Sequence, residues 1–261
     1  MPTYRIDLEY HGAAYRGWQS QKNAVGVANM VEKAVQAVFK DAKGLVGAGR
    51  TDAGVHALHQ VAHFRASEQK NPRHNPLLSL NDALPPNIAV LGVGPVPDSF
   101  NARTSASGRV YLYQILRRRC AFGSDQSWWV KDRLDLKAMA QARDLLLGRH
   151  DFAAFSDLDP EKPKETVIDL GGIELVEHGP LLLLRFKARH FLWKMVRRVT
   201  GYLVEVGRGR YKAAGTEAMF KGDRKVLAPY TAPPQGLFLE RVLYPGDHFN
   251  EPVKPVLNLM M

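Results

Sequence analysis

Apolar and polar residues along the N-terminal part of the chain alternate with a period that changes from strand to helix and back. Over residues 4–10 every second residue is apolar and the residues between are charged, which predicts a half-buried strand. Over residues 27–39 the apolar residues recur at helical spacing on one stripe. The elements predicted here are, in order, strand 4–10, helix 27–39, strands near 45–47 and 60–65, helix 76–84 and strand 88–96. Their order is β-α-β-β-α-β.

The same order of elements returns after Gly108. Asp135 can cap a helix that Gly148 is placed to end. The elements predicted in this part are strand 109–117, a helix from the Asp135 cap, strands 166–176 and 181–188, a long helix over 192–206, a short one over 216–220 and strand 237–244.

Two copies of one element order predict an α+β fold made of two tandem β-α-β-β-α-β (ferredoxin-like) halves with antiparallel sheets. The expected halves are residues 1–105 and residues 106–246, followed by an extended tail over 247–261. An active-site cleft is expected between the halves, since ligand sites favour such junctions.

Composition and charge narrow the class of partner. The chain has 261 residues, 45% of them hydrophobic, and a net charge of +10 from 36 Lys and Arg against 26 Asp and Glu. This balance favours a polyanionic partner, nucleic acid before an anionic membrane surface. The single Cys120 excludes an internal disulfide framework and indicates a reducing compartment, by default the cytoplasm. No apolar run is long enough to span a membrane, so no membrane association is expected.

The segment from Gly47 to His56, with the sequence GAGRTDAGVH, has the composition of a site rather than of a core. Its glycines allow a tight loop that approaches a ligand closely and holds a side chain in a fixed direction. Asp52 is the candidate for that direction, and Arg50 is too close in sequence to be its default partner. The plainer interpretation is a turn in which Asp52 caps backbone amides and Arg50 is solvated.

The histidines near this loop do not predict a metal site. His56 and His59 are spaced like neighbours on a helix, but Gly54 interrupts the region and no His-Glu-x-x-His pattern or cysteine pair occurs. His63 falls on a predicted strand and points away from a common ligand set. We interpret His56 as serving the loop and expect no metal.

Basic and aromatic residues interleave at several places, as on surfaces that bind RNA. The alternative is that the aromatic residues form cores and the charges form solvated faces, which is favoured for Trp193 or Tyr113 taken alone. The clusters are residues 15–19, residues 109–119 with three consecutive arginines at the end, and residues 189–198.

Several segments, in order along the chain, resemble the tRNA pseudouridine synthase A family. The loop Gly-Arg-Thr-Asp-Ala-Gly-Val-His-Ala at 49–57 is similar to the catalytic motif of that family. The other similar segments are Tyr15-Arg16-Gly17-Trp18-Gln19, Phe100-Asn101-Ala102-Arg103, Arg109-Val110-Tyr111-Leu112-Tyr113, residues 150–155, Phe191 with Met195-Val196-Arg197, and Gly236-Leu237-Phe238-Leu239. The resemblance covers about residues 4 to 245.

The resemblance implies a homodimeric enzyme, without metal or cofactor, that isomerises uridine to pseudouridine at positions 38, 39 and 40 in the anticodon stem-loop of tRNA. Asp52 is then the nucleophile and Arg50 helps to hold the target nucleotide out of its stack. Tyr111 stacks on the target base and is a candidate for moving a proton, and Arg197 pairs with Asp52 and orients it. The remaining residues expected to bind substrate are Gln19, His56, Arg103, Phe191 and Leu239.

Two positions differ from the usual family pattern. Arg198 stands where asparagine usually follows the arginine, and Val110 replaces a basic residue before the tyrosine. Two other classes of protein remain as alternatives: a non-catalytic RNA-binding or RNA-chaperone protein on the same scaffold, and a metal-dependent hydrolase that uses the histidines.

Overall fold

A computed structural model of the chain describes residues 1–19, 25–71, 73–157 and 165–256. The mixture of helices and mostly antiparallel strands confirms the predicted α+β class. The strands and helices are, in chain order, β1 Thr3–Tyr10, α1 Val27–Val38, β2 Lys43–Gly47, β3 His56–Arg65, α2 Pro76–Asp82, β4 Ile88–Val96, β5 Gly108–Leu116, β6 Trp128–Trp129, α3 Leu136–Leu146, β7 Gly148–Asp151, β8 Val167–His178, β9 Leu181–Ala188, α4 Met195–Gly207, α5 Thr216–Met219, α6 Arg224–Leu227 and β10 Leu237–Leu243.

Contacts divide the chain into two units. Unit 1 contains Met1–Ser107 and Phe238–His248, and unit 2 contains Gly108–Leu237 and Phe249–Met261. The sequence pattern assigns strand β10 to the end of the second half. Most of it groups with unit 1 instead, because it pairs in parallel with β3, with Phe238 opposite His56 and Leu239 opposite Ala57.

Unit 1 has the strand order β4-β1-β3-β2, with antiparallel neighbours. The alternation predicted for β1 is confirmed, since Ile6 and Leu8 are fully buried and Glu9 is exposed. At one end of the core the ring of Phe39 lies 4.9 Å from that of Tyr4 and 5.1 Å from that of Phe64. Burial of these apolar faces stabilises the unit by about 25 cal/mol per Å² of surface removed from water.

Unit 2 has the strand order β5-β9-β8-β7, with antiparallel pairing along that path, and the short β6 is parallel to β5. Helix α3 packs on α4 and on β8. The predicted cap is confirmed, because Asp135 Oδ1 accepts the Ala138 N–H at 3.0 Å. The sequence pattern does not predict strands β6 and β7, since two to four residues are too few to show a period.

Residues 249–256 form neither helix nor strand and are held on unit 2 by Arg185, whose side chain is 1% exposed. Its guanidinium donates to the carbonyl oxygens of Glu251, at 2.6 Å, and Pro252, at 3.2 Å, and stacks over the Phe249 ring at 5.0 Å. The Val256 N–H donates to Gln114 Oε1 at 2.8 Å. The end of the expected tail, residues 257–261, lies outside the described residues.

Among the described residues, no helix combines the length and the apolar character needed to cross a membrane.

Candidate active site

Asp52 lies on the loop between β2 and β3, in unit 1. Asp52 is half-buried. Of its neighbours in the sequence, Arg50 and Ala53 are exposed and Thr51 is buried. The Val55 N–H donates to the Asp52 carbonyl oxygen at 3.1 Å, and Gly54 has a φ of 77°, a conformation that favours glycine. The sequence therefore builds a tight turn with Asp52 at its start.

The loop formed by residues 12–19 holds this turn through its backbone. The Trp18 N–H donates to the Thr51 carbonyl oxygen at 3.1 Å, and the Gly54 N–H donates to the Tyr15 carbonyl oxygen at 3.2 Å. Gly17 permits the approach, because it has a φ of 92° and a Cβ there would lie 2.4 Å from the Thr51 oxygen. Two loops that are distant in sequence thus fix the backbone on both sides of Asp52.

Side chains beneath the loop add further hydrogen bonds. The Thr51 hydroxyl lies 2.9 Å from the Tyr10 hydroxyl, and both residues are buried. Gln60 Nε2 donates to the Gly49 carbonyl oxygen at 2.9 Å. The sequence pattern does not predict these roles for Tyr10, Thr51 and Gln60. The one available signal was a polar residue, Gln60, within an apolar strand, because a buried polar side chain needs a hydrogen-bond partner.

His56 supports the loop from behind and is 1% exposed. Its Nδ1 accepts the Gly12 N–H at 3.0 Å, so that nitrogen carries no proton. The ring stacks on Phe238 at 4.7 Å and lies 4.4 Å from the His11 ring. Leu239, the next residue of β10, is fully buried. Both residues therefore sit under the candidate site rather than on its surface.

Arg103 and Gln19 are the exposed members of the predicted set in unit 1, together with Arg50. Arg103 is presented by a turn in which Asn101 Oδ1 accepts its N–H at 3.0 Å. The adjoining Ala102 N–H donates to His63 Nδ1 at 3.1 Å. Burial lowers the pKa of the His63 imidazole below its ordinary value, and the charge of Arg65 lowers it further. His63 is therefore a neutral anchor for the Arg103 turn.

In unit 2 the structure brings Tyr111 and Phe191 together. Both rings are half-buried and meet edge to face, with 5.1 Å between centroids and an angle of 88° between planes. The neighbouring Val110 is fully buried, so its difference from the family pattern removes no basic group from the surface. An edge-to-face pair holds the Tyr111 ring in one orientation.

Arg197 lies in the first turn of α4 and is half-buried. Its Nε donates to the Ala232 carbonyl oxygen at 2.7 Å, and its own carbonyl oxygen accepts the Ala232 N–H at 3.0 Å. The buried Tyr113 hydroxyl, which donates to the Pro233 carbonyl oxygen at 2.7 Å, is close by in the same unit. Burial raises the pKa of Tyr113 well above its ordinary value, and the charge of Arg197 opposes that rise.

Arg198, the other difference from the family pattern, is a buried residue that sequence analysis did not explain. Its side chain is 3% exposed and its guanidinium donates to the Ser156 carbonyl oxygen and to the Asp157 carboxylate. Lys194 Nζ reaches the other carboxylate oxygen of Asp157 at 2.6 Å. The available signal was the place of Arg198 beside the apolar stripe of α4, because an arginine that is buried needs a carboxylate partner.

The basic and aromatic clusters divide into core and surface. Trp18 and Tyr113 are core residues, whereas Trp193 is 49% exposed, contrary to the interpretation favoured for it alone. Phe122, 77% exposed, follows the exposed Arg118 and Arg119. A depression of about 890 Å³ beside them is lined by residues that include Arg119, Trp128 and Trp129. Exposed aromatic and basic side chains therefore occur in two of the three clusters that the sequence singles out or beside them.

No three His, Cys, Asp or Glu side chains are grouped as metal ligands within the described ranges. His59 contacts Asp7 at 3.4 Å, while His56 and His63 hold backbone amides as described above. His56, His59 and His63 therefore contact three different groups of the protein.

Comparison with known proteins gives one consistent result. The profile of a family described as tRNA pseudouridine synthase matches residues 142–245. Proteins named tRNA pseudouridine synthase A are similar over nearly the whole chain. The one from Beijerinckia indica is 38% identical and the alignment covers 98% of each chain. Those from Aquifex aeolicus and Nitrobacter hamburgensis are 38% and 41% identical, over 93% and 94% of this chain and 100% of theirs.

Proposed function

This chain belongs to the tRNA pseudouridine synthase A family, and from that premise we propose that it isomerises uridine to pseudouridine in tRNA, with Asp52 as the nucleophile. We propose positions 38, 39 and 40 of the anticodon stem-loop as the targets. The observation that carries the assignment of Asp52 is its place on a turn whose backbone is fixed on both sides by Trp18 and Tyr15.

The reaction breaks the bond between N1 of uracil and C1′ of the ribose, turns the base, and forms a bond between C5 and C1′. The proton on C5 is lost and N1 gains one, so atoms balance and there is no net oxidation or hydrolysis. An ionised Asp52 oxygen can add to C1′, add to the base, or assist elimination to a glycal. Each route requires a carboxylate held within reach of the sugar or base, which a fixed turn provides.

The target nucleotide has to leave its stack, because a stacked base shields the glycosidic bond. Unstacking costs about a few kcal/mol, and contacts with the extruded nucleotide and its phosphates offset that cost. We propose that the exposed Arg50 and Gln19 hold the extruded nucleotide and that Arg103 contacts the backbone. We propose that His56, whose Nδ1 accepts the Gly12 N–H, supports the loop from within. Leu239, predicted to bind substrate, is fully buried beside Ala57.

For unit 2 we propose that Tyr111 stacks on the target base, with Phe191 fixing the plane of its ring. Arg197 supplies positive charge that favours the ionised form of a carboxylate. Its Nε donates to the Ala232 carbonyl oxygen at 2.7 Å, which fixes the guanidinium relative to the first turn of α4.

We also infer that the protein works as a homodimer in the cytoplasm. The family resemblance supports the homodimer, and the single, partly exposed Cys120 supports a reducing compartment.

The test is incubation of the purified chain with unmodified tRNA transcripts, followed by mapping of pseudouridine at single-nucleotide resolution, with no metal or nucleotide added. The expected result is pseudouridine within positions 38 to 40. Transcripts with cytidine at those positions are the control and should stay unmodified. A protein that binds the transcripts and modifies none would instead be a non-catalytic RNA-binding protein.

A further inference from the structure

We propose that Asp157 and Arg198 are positioning residues for Arg197, acting by locking the first turn of α4. This inference rests on the proposed function, because it concerns a residue of the proposed site. The Arg198 side chain, 3% exposed, joins the turn to the Ser156 carbonyl oxygen and the Asp157 carboxylate. Sequence resemblance assigns no role to Asp157.

Asp157 also holds the residues immediately before the helix. Its N–H donates to the Trp193 carbonyl oxygen at 3.0 Å, and its carboxylate contacts Lys194 Nζ at 2.6 Å. Lys194 is the N-cap of α4 and has a φ of 60°, a left-handed conformation that is unfavourable for a residue with a side chain. The helix therefore starts from a backbone geometry that needs an external restraint, and Asp157 supplies it.

Arg197 lies between the two groups that Asp157 holds. Successive residues of an α-helix are turned by about 100°, so fixing Lys194 and Arg198 fixes the direction in which Arg197 leaves the helix. The backbone of Arg197 has a separate hydrogen bond from Ala232. The first turn of α4 is thus tied to Asp157 on one side and to Ala232 on the other.

Charge supports this arrangement. Burial alone raises the pKa of the Asp157 carboxyl, but the hydrogen bonds and charges of Lys194 and Arg198 bring that pKa below its ordinary value. The carboxylate is therefore ionised at neutral pH. Removing Asp157 would leave the buried Arg198 guanidinium without its carboxylate, which is costly. Removing Arg198 would leave Asp157 paired with Lys194 but no longer tied to the first turn of α4.

The other end of α4 provides a matched control. Arg208 contacts Glu205 at 2.6 Å and Asp132 at 2.7 Å, and the Glu205 side chain is 3% exposed. This is also a pair between arginine and carboxylates, but it lies nearly three helical turns from Arg197. Arg208→Met should therefore destabilise the same helix without moving Arg197.

The test compares Arg198→Met, Asp157→Asn and Arg208→Met in the full chain, at a temperature at which urea titration shows each variant to be folded. We expect Arg198→Met and Asp157→Asn to lower kcat by about tenfold or more with KM changed by less than about threefold. Arg208→Met should keep kcat within about twofold of the unaltered chain. Arg198→Lys, which retains a charge for Asp157, should recover part of the loss.

Amide hydrogen exchange gives a second measurement that does not depend on activity. Exchange in residues 195–199 should be faster in Arg198→Met than in Arg208→Met. If the unaltered chain forms no pseudouridine, the proposed function fails while this measurement still tests the lock. The inference is overturned if folded Arg198→Met has unchanged kcat, if Arg208→Met loses kcat equally, or if exchange in residues 195–199 does not differ between the two.

Discussion

The contact between Gly17 and the Thr51 carbonyl oxygen can be tested by adding one methyl group. In Gly17→Ala the new Cβ would lie 2.4 Å from that oxygen, whereas real Cβ atoms essentially never approach closer than 3.0 Å. The difference, 3.0 minus 2.4, requires a displacement of at least 0.6 Å. The oxygen belongs to the peptide that joins Thr51 to Asp52, so the displacement moves the backbone of the proposed nucleophile.

The expected loss of stability has two parts. Alanine at a positive φ costs about 1–2 kcal/mol, less about 0.4–1 kcal/mol because alanine restricts the unfolded chain. Displacing the Thr51 oxygen also weakens its hydrogen bond from the Trp18 N–H, which adds about 1–3 kcal/mol for a buried pair. Gly17→Ala should therefore lower the free energy of unfolding by about 2–4 kcal/mol.

Gly44→Ala is the control that separates these two parts. Gly44 also has a positive φ, of 70°, but a Cβ added there would meet no atom of the described residues within 4 Å, apart from its chain neighbours. It should cost about 1 kcal/mol and leave the rate of isomerisation unchanged.

The assays are urea unfolding and single-turnover formation of pseudouridine. A displacement approaching 1 Å near a reacting group can cost on the order of 10²-fold in rate, so Gly17→Ala should lose at least about tenfold. Equal stabilities for Gly17→Ala and Gly44→Ala, or an unchanged rate in folded Gly17→Ala, would refute the steric argument.

Two further predictions concern the supports of the site. Thr51→Val should lower the unfolding free energy by about 1–3 kcal/mol and Tyr10→Phe by about 1 kcal/mol. The double variant should cost less than the sum of the two, because it leaves neither hydroxyl without its partner. Additive costs in urea titrations would contradict the pairing. The pKa of His63 is lower in the folded chain than its ordinary value of about 6.5, so the unfolded chain binds more protons below that value. The free energy of unfolding should therefore decrease as the pH falls through about 6.5 toward the pKa of His63 in the folded chain. His63→Asn, whose amide oxygen can still accept the Ala102 N–H, should show a smaller decrease. An identical pH dependence in both proteins would show that His63 is not the group responsible.

The elements of unit 1 could be predicted because their signals are local. The alternation in β1 and the stripe of α1 each follow from which residues are buried, and the cap at Asp135 in unit 2 follows from a single side chain. The candidate loop around Asp52 could be located because glycines and a carboxylate are concentrated within a few residues.

Contacts between residues distant in sequence could not be predicted in this way. The approach of Gly17 to Thr51 and the pairing of Arg198 with Asp157 join segments whose separation carries no periodic signal. The same reason explains β10, whose apolar pattern predicts a strand and does not specify that Phe238 pairs beside His56.

If the Asp52 carboxylate is the nucleophile, Asp52→Asn should abolish the reaction. The amide has nearly the same size and no charge, so folding and binding of tRNA should be retained. With saturating enzyme and an unmodified transcript, we expect tRNA binding within about threefold of the unaltered chain and no pseudouridine above the level found without enzyme. Pseudouridine formed by Asp52→Asn at a rate near that of the unaltered chain would show that the Asp52 carboxylate is not the nucleophile.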